Sequence, residues 1–194
     1  MNTLNIDTVS EINEFFQKVT DTLARFDRTA LARFIELMLS THARGGSFFI
    51  FGNGGSGNTA SHFCGDFIKG VSHGLAQRFK MICLNDNSSA LMAIANDISY
   101  EDIFVEQLKN FLRSDDLVIG ISCSGNSPNV VKALEYANTV GAQTVAFCGF
   151  DGGAIKKIAG LSLHAAIDDM EVAEDVHLVL THCVKQIMIK TLKK

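Results

Sequence analysis

Two short polar loops, each straight after an apolar run, constrain this chain more than anything else in it. Gly52-Asn53-Gly54-Gly55-Ser56-Gly57-Asn58 follows the run Ser47–Phe51, and Ser122-Cys123-Ser124-Gly125-Asn126-Ser127 follows Leu117–Ile121. Further apolar runs occur at Phe79–Leu84, Thr144–Cys148 and Leu161–Ala165, bounded by Gly, Asp, Ser or Asn. Helical segments separate the runs, and a last one covers Glu171 to Leu192. This alternation predicts a five-stranded parallel sheet with helices on both faces, a three-layer α/β/α fold. Ligands of such sheets bind beyond the carboxyl ends of the strands, where both loops lie. Glycine lets the backbone approach a ligand closely. Ser and Asn add neutral donors, and the following helix offers free N–H groups and a positive dipole end. A phosphate monoester is the ligand class that such loops suit.

The region before Gly46 reads as helical. Thr8-x-x-Glu11 is a candidate capping box. Val9, Ile12, Phe16, Val19, Leu23 and Phe26 then recur at alternating spacings of three and four, a heptad-like seam that suits another helix. An apolar stripe of that length points to a subunit interface. A second helix fits Arg28 to Ala43, with Leu31, Phe34, Ile35 and Met38 on one side, and Gly45-Gly46 ends it. The single proline, Pro128, marks no linker. The expected organisation is one domain over 1–194, with a helical extension over 1–45 and an α/β core over 46–194.

Charge narrows the partners. A formal net charge of −4 with no Lys/Arg run argues against nucleic acid. Phosphate recognition then falls to local dipoles. Met1 to Thr8 has neither the basic residue nor the apolar stretch of a leader, and no apolar run is long enough to span a bilayer. The expectation is a cytoplasmic protein without membrane contact. The five cysteines are scattered and form no CxxC pair, which fits reduced thiols. Gly52-x-Gly54-x-x-Gly57 also matches a dinucleotide-binding fingerprint. That reading needs an acidic residue about 20 positions later, and Asp86, at the end of the second apolar run, lies well past it.

Taken in order, Gly52-Asn53-Gly54-Gly55-Ser56, His62-Phe63, Ala95-Asn96-Asp97, Ser122-x-Ser124-Gly125-Asn126-Ser127 and Asp151-Gly152-Gly153 resemble the phosphoheptose isomerase family of SIS (sugar isomerase) proteins. The resemblance covers nearly the whole chain. It implies a flavodoxin-like SIS fold and a cytosolic homotetramer with active sites between subunits. It implies conversion of sedoheptulose 7-phosphate to D-glycero-D-manno-heptose 7-phosphate for surface-heptose biosynthesis, and a zinc ion in each site. Substrate-binding positions would be Asn53, Gly54, Gly55, Ser56, Asp66, Asn96, Asp97, Ser122, Cys123, Ser124, Ser127 and Glu174. Metal positions would be His62, Asp66, Glu174 and His182, with Asp66 and His182 as the catalytic pair. The chain departs from the family at two of these: Asp66 stands where Glu is usual, about 1.5 Å shorter in reach, and Glu174 where Gln is usual.

The chemistry suits those residue types. Aldose–ketose isomerisation moves a proton between adjacent carbons through an enediol, so it needs a base and an acid or a metal. His62 and Asp66 are four apart and share a helix face, able to hold a metal or to pair with each other. Glu174 and His182 are eight apart, roughly 12 Å along a helix. Both meet one ion only if Glu174 precedes the helix or the two serve different subunits, and a site shared at an interface is expected. His177 reads as structural, Cys123 as lining its loop, and His42, His73 and His164 carry no motif. The alternative is a non-catalytic phosphosugar sensor or adaptor, of the kind that associates with a replication initiator, keeping the loops without the acid–base pair.

Overall fold

The computed structural model describes residues 6–193. Residues 1–5, on which most of the leader reading rests, lie outside the described residues. Strands β1 (Ser47–Gly52), β2 (Lys80–Cys83), β3 (Leu117–Ser122), β4 (Gln143–Cys148) and β5 (Leu161–His164) form one parallel sheet in the order β2-β1-β3-β4-β5. That is the flavodoxin-like order expected, and the five predicted strands match within one residue at every end.

The run Phe48-Phe49-Ile50-Phe51 shows why β1 sits in the middle. Side chains alternate across a strand. Phe48 and Ile50 enter one core, with Phe34, Phe63, Phe67 and Phe147. Phe49 and Phe51 enter the other, with Phe104, Leu108, Val118 and Leu134. Burying each such ring contributes about 2–3 kcal/mol, and only a strand covered on both faces buries all of them. Helices α1 (Thr8–Arg25), α2 (Arg28–Ala43), α3 (Gly54–Gly65) and α8 (Met170–Leu192) lie on the first face. Helices α5 (Val105–Phe111) and α6 (Pro128–Val140) cover the second, and α4 (Ser88–Asp97) and the one-turn α7 (Ile155–Ile158) flank it. Among the described residues no helix is long and apolar enough to cross a membrane.

Three local expectations change. The α1 cap is Asp7, whose carboxylate accepts from Ser10 N, so Thr8 is already helical and the capping box does not form. The α1 seam divides: Phe26 is buried, while Val9, Ile12 and Phe16 are 66%, 47% and 64% exposed. The loop expected over Gly52–Asn58 shrinks to Asn53, because α3 begins at Gly54. Three glycines in a first turn disfavour helix by roughly 1 kcal/mol each. Close packing overrides that cost: a Cβ on Gly57 would lie 2.9 Å from Gly52 O, and one on Gly55 would overlap the Glu174 carboxylate.

Candidate active site

Helix α3 does not stop at Gly65. It continues as a π-helical turn, Asp66–Val71, a local widening that is frequent at functional sites. This segment packs against α8. The packing joins residues that are 120 apart in sequence: His62 Nε2 and His182 Nε2 lie 2.9 Å apart, one imidazole donating to the other. Asp66 Oδ2 is 3.5 Å from His62 Nε2 and 3.9 Å from His182 Nε2. The carboxylate is 12% exposed, the two imidazoles 51% and 45%. Asp66 Oδ2 is buried and has no hydrogen-bond partner among the described residues. All three groups therefore come from one chain, and no second subunit is needed to bring His182 to His62.

Glu174 takes a different place. It lies inside α8, which is capped by Asp169, so it does not precede the helix. It is absent from the His62–Asp66–His182 cluster. Instead its carboxylate lies over the backbone of Gly55, at the start of α3. Burial raises its pKa first, and the nearby charges of Glu171 and Asp175 raise it further, while the Ser56 amide pulls it down. Glu174, His62, Gly55, Asn58, Thr59, Asp175 and Leu178 line one cavity of about 410 Å³ in the groove between α3 and α8.

The second loop stands at the head of that groove. Ser56 Oγ and Cys123 Sγ are 3.8 Å apart, joining the start of α3 to the end of β3. Ser122 Oγ and Ser127 Oγ are 3.0 Å apart, and Ser124 Oγ accepts from Asn126 N. Neither Asn53 nor Ser127, the N-caps of α3 and α6, closes its helix end with a side-chain bond. In α6, Pro128 has no N–H and the Val130 and Val131 amides donate to Ser127 O, so an anion there would meet the loop hydroxyls and the positive end of the helix dipole. The Asp151-Gly152-Gly153 loop braces this arrangement: Ile155 N donates to Gly125 O and Ala154 N to Asn126 Oδ1. Cys123 is buried, and burial pushes its thiol up to about 11, which suits a wall rather than a nucleophile.

Asn53 exchanges amide hydrogen bonds with Asn129 and accepts from the Tyr100 hydroxyl. It shares a cavity of about 220 Å³ with Gly54, Asn85, Ala95 and Tyr100. Asn96 and Asp97 are not brought in: Asn96 donates to Asp97 Oδ1 at the exposed end of α4. His177 is buried, and its Nε2–H donates to Cys148 O. Desolvation holds its pKa down at about 4.

One residue at the centre was not visible in the sequence. Lys185 Nζ lies 2.5 Å from Asp66 Oδ1. Its spacing of three from His182 puts the two on one face of α8, the only signal available beforehand.

The SIS domain model matches residues 14–149. The chain is 36% identical over 159 residues to the phosphoheptose isomerase of Helicobacter pylori (strain P12), covering 78% of this chain and 79% of that one. The chain belongs to the phosphoheptose isomerase family of SIS-domain proteins. Solved phosphoheptose isomerases agree in fold. Those of Neisseria gonorrhoeae and Francisella tularensis both give TM-scores of 0.86, at 26% and 25% identity. They cover 97% and 95% of this chain and the whole of each structure. The expected SIS fold and the expected isomerase, rather than a sensor, are those of the phosphoheptose isomerase family.

Proposed function

We propose that this chain converts sedoheptulose 7-phosphate to D-glycero-D-manno-heptose 7-phosphate by proton transfer through an enediol. The observation that carries this reading is the convergence of His62, Asp66 and His182, with His62 lining the groove between α3 and α8 that the serine loop heads. A sensor has no use for a largely buried carboxylate beside two paired imidazoles, so the triad favours catalysis over the adaptor reading.

Binding starts at the loop. Ser122, Ser124 and Ser127 hold the phosphate at the positive end of the α6 dipole. Asn53, Gly54, Gly55 and Ser56 turn the backbone toward the sugar hydroxyls, and Glu174 accepts from them. The carbonyl end of the chain then lies along α3, toward the triad. Asp66 Oδ2 removes a proton from C1, and an imidazole of the pair, His182, gives a proton to the carbonyl oxygen at C2. The enediol forms. Asp66 returns its proton to C2, and the hydroxyl at C1 gives its proton back to His182, leaving the aldehyde. Protons balance, and no external reductant is required.

The triad also fits a zinc ion. Its three donor atoms lie within 4.8 Å of one another, and Asp66 Oδ2 is an orphaned acceptor aimed at both imidazoles. Two imidazoles on one tetrahedral zinc sit about 3.3 Å apart, a small opening from 2.9 Å. His62, Asp66 and His182 would hold the ion. Its chemistry would be to polarise the carbonyl oxygen. Glu174 joins it only if its side chain leaves Gly55.

The same reading places the protein in the cytoplasm as a homotetramer, with the exposed part of α1 buried between copies. The test is incubation of metal-analysed protein with sedoheptulose 7-phosphate in deuterated water. Deuterium at the carbon next to the carbonyl, lost in Asp66→Asn and His182→Ala, supports the isomerase. Binding without exchange in the unmodified protein rejects it.

A further inference from the structure

We infer that Lys185 is a positioning residue for Asp66, fixing one carboxylate oxygen so that only the other faces the imidazoles. The inference rests on the isomerase reading for its role in turnover, though not for its geometry. Lys185 Nζ meets Asp66 Oδ1 at 2.5 Å, while Oδ2 lies toward His62 and His182. The two oxygens of a carboxylate are chemically alike, so rotation about the last bond would exchange them. An ammonium group held on one side breaks that symmetry.

The route of the lysine side chain is itself built. Lys185 comes from α8, and its stem crosses the π-helical turn at Gly70, where a Cβ would stand 3.0 Å from Lys185 Cε. A side chain at 70 would press on the stem that reaches Asp66. The pair is partly buried, at 28% and 12% exposure, so water screens it less than it does a surface ion pair. Lys185 Nζ is spent on Asp66 Oδ1, the carboxylate oxygen turned away from the imidazoles, so it acts through Asp66. The wide turn, the glycine and the lysine serve one end: a short acid with a fixed direction.

Lys185→Met and Lys185→Arg should be made in the full chain, alone and combined with Asp66→Asn. With sedoheptulose 7-phosphate, Lys185→Met is expected to lower kcat roughly 10- to 100-fold, the penalty of a misplaced catalytic group, with KM within about twofold. Lys185→Arg should recover most of the loss. Adding Lys185→Met to Asp66→Asn should cost nothing further, because the pair acts as a unit. Imidazole nitrogen signals of His62 and His182, read by NMR, should shift in Lys185→Met and much less in Lys185→Arg. Wild-type kcat in Lys185→Met, or a loss that multiplies with that of Asp66→Asn, would overturn the inference. If the unmodified protein turns over no substrate, the isomerase reading fails. The NMR comparison then still decides, since unshifted imidazoles in Lys185→Met reject the positioning role.

Discussion

At residue scale, one group in the site region should act on stability and not on chemistry. His177 is wholly buried, donates to Cys148 O and faces the Phe147 ring edge-on. Its pKa is about 4 in the fold, below the ordinary 6.5. Above pH 6.5 both folded and unfolded chains carry a neutral ring. As pH falls below 6.5 the unfolded chain takes up the proton first, so stability is lost down to about pH 4, by roughly 3 kcal/mol. Urea unfolding at pH 7 and pH 5 should show about 2 kcal/mol of this loss, and His177→Phe should remove much of it. Asp66→Asn should behave in the opposite way, lowering kcat by about 10² or more while leaving the fold intact. Circular dichroism beside the kinetics checks both halves. His62 and Asp66 were legible as a pair because a spacing of four puts them on one helix face. Lys185 was not. A lysine on a terminal helix reads as solvated until the partner, 119 residues earlier, is known.

At the scale of elements, the loops were legible as ligand loops, and their lengths were not. Glycine-rich sequence after β1 reads as coil by propensity, yet the backbone is helical from Gly54, and glycine stands at 55 and 57 because a Cβ there would meet Glu174 or Gly52 O. The strands were easier, since continuous apolar runs such as Phe48–Phe51 leave a two-sided sheet as the fitting home. The N-cap of α1 is Asp7, one position before Thr8, and the sequence alone does not separate the two because Asp and Thr are both good caps. The loop pair after β3 and β4 yields a prediction. Gly125 has a φ of +67°, and a Cβ there would stand 2.0 Å from Gly152 O. Gly125→Ala must open the contact between the two loops or strain the backbone, for a loss of about 2–4 kcal/mol. Because the same loop presents Ser124 and Ser127, KM for the sugar phosphate should rise several-fold beyond the fall in stability. Melting temperature and steady-state kinetics measured together separate the two effects; an unchanged KM would mean that the loop shape does not set substrate affinity.

At the scale of the whole molecule, the unfinished surface is α1. Ile6, Val9, Ile12 and Phe16 are all exposed, although the same helix buries Thr22 and its C-terminal flank buries Phe26. A seam that is half covered by its own chain is most simply completed by another copy. Beside it runs an apolar cavity of about 340 Å³, lined by Leu23, Phe26, Leu31, Ile35, Val179 and Ile187, between the first two helices and α8. Helix α1, at 18 residues, is about 27 Å long, enough to carry apolar contacts across a standard interface of about 800 Å² on each partner. Phe16→Asp places a charge in the middle of that seam and touches neither the triad nor the serine loop. In sedimentation velocity at low micromolar concentration, the unmodified protein should run as a multiple of 21.1 kDa, and Phe16→Asp as a smaller species. If Phe16→Asp also loses activity while its melting curve stays that of a folded chain, the active site needs the neighbouring subunit, even though His62, Asp66 and His182 all come from one. If it keeps full activity as a monomer, the groove between α3 and α8 is complete in a single chain, and the exposed face of α1 serves assembly alone. An unmodified protein that already runs at 21.1 kDa would show that the apolar face of α1 does not join copies of this chain.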